Sequence, residues 1–204
     1  MVDTLHTPAF TFTARVLGGL FWFPPQSEQA QGLIAAFRNG EWEAQWPFSS
    51  AELASLTPLF AADAPETIPQ AWQRLFIGPS ALPAPPWGSV WLDKENVLFG
   101  ESTLALRQWM RHHHIVQEMQ HDAPEDHFGA LMLLAAWLVE NDRASACDEL
   151  LAWHLLPWAG RFLDVLESEA GHPFWHAAAR LARLTLVDWQ TRLLMPVAPK
   201  KLYR

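Results

Sequence analysis

A chain of 204 residues, half of them hydrophobic and only 18% charged, is long enough to bury roughly 70% of its unfolded surface and too apolar to be disordered. Its net charge of −8 argues against non-specific nucleic-acid binding, which depends on clustered Lys and Arg, so no nucleic-acid partner is expected. One cysteine, Cys147, rules out an intrachain disulfide and suits a reducing compartment.

The N-terminus lacks the basic-then-apolar pattern of a signal peptide. The longest apolar run, near residues 128–139, falls short of the about 20 residues that a membrane-spanning helix needs. A cytoplasmic chain with no membrane span is therefore expected. Twelve tryptophans stand against a single tyrosine. Trp favours places with one apolar side and one wet edge, so an excess of this size points to a groove or an interface.

Taken in order, residues 8–23 read as a helix with Pro8 in its first turn and Phe12, Val16, Leu20 and Phe23 at helical spacing. Pro24-Pro25 stops it, Ser27 caps a second helix, and Asn39-Gly40 ends that one. Residues 41–48 read as an aromatic connector. Ser49-Ser-Ala-Glu52 has the spacing of a capping box before a third helix with Leu53, Leu56 and Phe60. After a linker over 61–68, Pro69–Phe76 forms a short helix with Trp72, Leu75 and Phe76 on one face.

Gly78-Pro79 opens a loop of roughly twenty residues, rich in Pro and Trp. Structureless loops of this length are usually functional or disordered, and the aromatics favour an ordered one packed on the body. Gly100 or Ser102 starts the next helix, which ends near His112-His113-His114. Consecutive helical residues point about 100° apart, so the three imidazoles cannot converge on one ion, and cations suit a helix C-terminus. No metal is expected there.

Asp122-Ala-Pro-Glu-Asp-His127 then reads as the start of an apolar helix over 128–139, with Asp122 or a neighbour capping and Pro124 in the first turn. That helix is apolar all round, as a buried central helix would be. Asp126 and His127 stand at its mouth, where polar groups need partners or a task. A helix through Cys147, Leu150 and Leu155 follows, with Cys147 read as packing. Pro157 divides it from the next helix, and His172-Pro173 begins a long last one. The tail Pro196–Arg204 wraps the surface or hangs free. No strand pattern is convincing, and the fold class is all-α: a single-domain bundle of about eight to ten helices with a long Pro/Trp-rich loop.

No GxxxxGK[ST], GxGxxG or HExxH motif is present, and no nucleophile–base pair is visible, so an enzyme is not expected. Trp72, Leu75, Phe76 and Trp87, which could all be core, together with the Pro-rich loop and the acidic balance favour a peptide-binding groove with a few aromatic anchors.

Three motifs carry a family resemblance: Pro124-Glu-Asp-His127, the upstream Trp72-Gln-Arg-Leu-Phe-Ile-Gly-Pro79, and the loop Pro85-Pro-Trp-Gly-Ser-Val-Trp-Leu-Asp93. With these the chain resembles the TorD/DmsD family of redox-enzyme maturation chaperones over nearly its whole length. The resemblance implies an all-helical, cytoplasmic, non-catalytic protein without cofactor or metal. It implies binding of a twin-arginine leader, here that of the dimethyl sulfoxide reductase catalytic subunit, through Trp72, Leu75, Phe76, Pro86, Trp87, Gly100, Pro124, Asp126 and His127. It also implies dealings with the Tat translocase and molybdenum-cofactor insertion proteins; monomer is the default state. The family's Glu-Pro-x-Asp-His pattern falls on residues 123–127 with Ala123 in place of the Glu. The acidic residues Asp93, Glu95, Glu101, Glu118, Asp122, Glu125 and Asp126 are expected to attract the leader's arginines. The rival reading, a guanine-nucleotide- or molybdenum-cofactor-handling accessory protein, has no phosphate-cradling glycine loop to support it.

Overall fold

The computed structural model describes residues 5–116 and 124–204, and among them every regular element is helical. Helix α1 (Pro8–Trp22) starts at Thr7, whose hydroxyl accepts the Phe10 N–H, and it lies against α9 (Phe128–Glu140). Two glycines permit the close approach. A Cβ on Gly18 would lie 2.8 Å from Leu133 Cγ, and one on Gly129 would lie 2.8 Å from the Trp22 amide nitrogen. Helix α2 (Glu28–Arg38) follows with Ser27 as its cap.

The chain then breaks into short pieces. Glu41–Gln45 forms α3, so the aromatic connector is partly helical, with Trp42 buried. The expected third helix is two, α4 (Ala51–Ala54) and α5 (Thr57–Ala61), because Pro58 can only sit in the first turn of the second. Its cap is Ser50, not Ser49, so the box with Glu52 does not form; Glu52 pairs instead with Arg180. The capping box occurs at Thr67 and Gln70, opening α6 (Ile68–Trp72).

Helix α6 runs straight into a π-helical turn, Gln73–Ile77, and the Pro/Trp-rich loop that follows holds α7 (Gly88–Leu92). Helix α8 (Glu101–His112) is capped at Gly100. Helix α10 (Ala144–Glu149), a second π segment (Leu150–Leu155) and α11 (Leu156–Glu169) run on without a break, with Pro157 in the first turn of α11. Helix α12 (Pro173–Arg192) packs along α11.

The core is aromatic. Phe21 has Phe128, Phe76, Trp175 and Phe162 around it, with ring centroids 5.0 to 6.5 Å apart, mostly edge to face. Helix α9 is the buried central helix its sequence promised, except at Trp137, which is 38% exposed with the Arg143 guanidinium 5.7 Å above its ring. Cys147 is fully buried, its thiol against the Ala135 carbonyl, and burial pushes its pKa up. No helix among the described residues is long and apolar enough to cross a membrane.

Candidate functional site

The turn before α9 differs from its expected form. Pro124, Glu125 and Asp126 precede the helix rather than forming its first turn, and the cap is His127, whose Nδ1 accepts the Gly129 N–H at 3.1 Å. Asp122 and Ala123 lie outside the described residues, as do Glu118 and His121. Because Nδ1 accepts, the proton of the neutral ring sits on Nε2. That N–H has no protein acceptor among the described residues. The ring lies edge to face between Trp22, 4.9 Å away, and Trp87, 5.5 Å away. Burial lowers its pKa to about 3, so it is neutral at physiological pH.

Asp126 ties the Pro/Trp loop to the helix behind it. Its Oδ2 accepts the Ser89 N–H at 2.6 Å, at the start of α7, and the Thr103 hydroxyl at 3.2 Å, on α8. Its carbonyl accepts the Gly88 N–H, and the Phe128 N–H donates to the Pro86 carbonyl at 2.7 Å. These bonds make a short antiparallel bridge between Trp87 and His127, the piece of extended pairing that positions both residues. Pro86 and Pro124 are buried beside it. Burial raises the Asp126 pKa, against the donors that favour its charge.

The other candidates divide. Leu75, Phe76 and Trp72 are buried, at 0%, 3% and 9% exposure, and Phe76 packs on Phe21 and Trp175. The face that their spacing groups together is turned into the core. Trp87 is half-buried and keeps an accessible side. Gly100 is required by packing: a Cβ there would overlap the Asp93 carboxylate, which accepts from the Ser102 N–H and hydroxyl at the start of α8.

The acidic set thins out in the same way. Asp93 and Asp126 are buried and engaged, and Glu125 forms a two-oxygen pair with Arg107 Nε at 2.8 Å. Glu95 and Glu101 are exposed. His113 bonds Glu149 at 2.8 Å beside Trp109, so this member of the triple His clasps α10 rather than facing water. Among the described residues no group of three or more His, Cys, Asp or Glu is placed to hold a metal.

Sequence reasoning missed Trp22. It falls off the Phe12–Val16–Leu20 stripe, and its one signal is an aromatic at the end of α1 before Pro24-Pro25. Ser89 and Thr103 were equally silent, beyond the rule that a buried carboxylate needs donors.

Several polar atoms are buried and have no partner among the described residues: Trp72 Nε1, Trp87 Nε1, Ser89 Oγ and Asp126 Oδ1. Buried polar groups in folded proteins are nearly always satisfied, so such a cluster needs an explanation.

The profile of the nitrate reductase delta subunit family matches residues 41–164. The chain belongs to this family, in its TorD/DmsD group. It is 58% identical to the Tat proofreading chaperone DmsD of Salmonella typhimurium over all 204 residues, the full length of both. It is 38% identical to the probable Tat proofreading chaperone DmsD of Haemophilus influenzae over 192 residues, 93% of this chain and 94% of that one. The chaperone protein YcdY of Escherichia coli is 32% identical over 177 residues, 85% and 90% of the two chains. The family is one of chaperones, not of catalysts.

Proposed function

We propose that this chain is a cytoplasmic proofreading chaperone. It binds the twin-arginine leader of the dimethyl sulfoxide reductase catalytic subunit and withholds that subunit from Tat export until it has matured. The observation that carries this reading is the likeness, along the whole of both chains, to a relative named for Tat proofreading. The hand-over of the client to the Tat translocase and to molybdenum-cofactor insertion proteins, and action as a monomer, belong to the same proposal.

The region around Trp87, Asp126 and His127 suits an extended peptide. The Trp87 indole N–H and the Asp126 Oδ1, which have no partner among the described residues, can take a main-chain carbonyl and a guanidinium, and the His127 Nε2–H can donate beside them. Trp22, Trp87 and the His127 ring supply the apolar wall. Trp72, Leu75 and Phe76 back this wall from the core, and Pro86, Gly100 and Pro124 hold its loop in place. Apolar anchors set the affinity, and the exposed Glu95 and Glu101 speed encounter with the arginines.

Titration calorimetry with a synthetic leader peptide tests the reading. The parent chain should bind, and Trp87→Ala should weaken binding about tenfold or more, as truncated anchors do. A folded parent chain that binds no leader peptide ends the proposal.

A further inference from the structure

The C-terminal tail does not hang free. Beyond α12 it has no regular structure, yet it returns across the Pro/Trp-rich loop. The Ala198 N–H donates to the Ala152 carbonyl and the Tyr203 N–H to the Trp91 carbonyl, both at 2.9 Å. Arg204 donates to the carbonyls of Leu82 and Pro83 at 3.0 and 3.2 Å, and its guanidinium lies 5.8 Å from the ring centre of Trp91. Leu202 packs on the core.

Lys200 forms one wall of a small cavity of about 10 Å³, whose other walls include Asp126, Ser102 and His154. The space holds about one water. Asp126 is 4% exposed and lines this cavity, and its Oδ1 has no partner among the described residues. A buried carboxylate and a removable wall that carries a cation thus line one cavity, the cation drawn also by the charge of Asp93.

The tail's order of side chains is itself informative. Lys200-Lys201-Leu202-Tyr203 is two adjacent cations followed by two apolar residues. A twin-arginine leader presents the same order, two arginines and then an apolar stretch.

We propose that the tail Pro196–Arg204 is a placeholder on the leader's own site: the leader's arginine pair and the apolar residues after it displace Lys200–Tyr203, and an arginine reaches Asp126 Oδ1. This rests on the function proposed above and adds where the leader binds and what it must remove. Guanidinium suits the exchange better than ammonium, because its planar fork can bond a carboxylate through two N–H groups. A tail held by a few hydrogen bonds, one packed leucine and no helix or strand belongs to the low-stability end of the fold and can open locally. The tail also lowers the leader's apparent affinity by the fraction of chains in which it is seated.

Two measurements on the full-length chain test this. Calorimetry with a twin-arginine leader peptide compares the parent with Lys200→Ala/Arg204→Ala. The loosened tail should tighten leader binding about three- to tenfold. Hydrogen exchange then follows the amides of Ala198 and Tyr203, which should be protected in the free chain and lose protection when the peptide is saturating. Unchanged or weaker binding by the variant, with the tail amides still protected in the complex, overturns the placeholder and leaves the proposed function standing. No leader binding by either chain overturns both.

Discussion

Two helices of this protein begin on a histidine, and the two starts do the same local task by the same bond. His127 Nδ1 accepts the Gly129 N–H at the start of α9, and His172 Nδ1 accepts the Phe174 N–H at the start of α12. They differ in what the rest of the ring does. His172 Nε2 bonds the Glu66 carbonyl at 2.9 Å, which completes its bonding. The Nε2–H of His127 has no such acceptor among the described residues, and its neighbour Asp126 also keeps one buried oxygen unpartnered. The cap alone therefore does not mark a site. A finished cap is structure, and an unfinished one, between two half-buried tryptophans, is where a peptide has bonds to offer.

The largest test of this contrast lies in the core behind the open start. Phe76→Ala should cost about 3–5 kcal/mol of stability, because it empties a space between Phe21 and Trp175. Trp87→Ala should cost much less while weakening leader binding more specifically. Paired urea melts and peptide titrations decide. A Phe76→Ala chain that keeps its stability and loses the leader would return Phe76 to the binding face.

Acid comes next. Burial lowers the pKa of both caps, holding His127 at about 3, and it holds His154, which caps no helix, at about 4. A depressed pKa contributes stability that is complete above the unfolded value of about 6.5 and is lost as pH falls toward the folded one. Each of these histidines should therefore cost up to about 2 kcal/mol between pH 7 and 5. Asp126 works the other way: its raised pKa favours the fold below the unfolded value of about 3.9, a contribution lost as pH rises. His127→Asn keeps a capping side chain and should flatten the acid limb of urea midpoints. His172→Asn should instead cost about 1–3 kcal/mol even at pH 7, because the Glu66 carbonyl loses its donor. A His127→Asn chain that loses as much stability at pH 7 as His172→Asn would erase the distinction between the caps.

Asp126→Asn probes the open start directly. An amide oxygen can still accept the Ser89 N–H and Thr103 hydroxyl, and the buried charge, whose desolvation raises its pKa, is gone. Stability at pH 7 should hold or rise, while leader affinity falls about tenfold, or about 1.4 kcal/mol. A large drop in melting temperature instead would make Asp126 a clamp and nothing more.

The contrast also explains what could be read from the sequence. Caps, breaks and apolar stripes follow local rules, so the helices at Thr7, Ser27 and His172 were legible to within a residue or two. Pro58 and Ser50 obey the same rules, while Ser49 and Glu52 have the spacing of a capping box that does not form because Glu52 pairs with Arg180. The spacing of Trp72, Leu75 and Phe76 showed that they share a face but not whether that face meets the core or a groove, because an apolar stripe serves either; the π segment after Trp72 left no sequence mark. Nor was the role of the tail. The tail after the last helix reads as wrapping the surface or hanging free until Trp91 and the Asp126 cavity are seen beside it.

The smallest effect expected is at Glu125, the neighbour of Asp126 that faces outward. Its pair with Arg107 is partly exposed on both sides, at 19% and 36%. Pairs of this kind contribute about 0–1 kcal/mol and fade with salt. Glu125→Gln should thus leave the melt almost unchanged, and it should weaken leader binding less than about threefold, through the uncompensated charge of Arg107 repelling the arginine pair. The loss should shrink further when the titration is repeated at high salt. Should Glu125→Gln instead match Asp126→Asn and respond steeply to salt, the leader would be held by the field of the rim. The unpartnered oxygen of Asp126 would then be an accident of packing, and the two histidine caps would differ only in their surroundings.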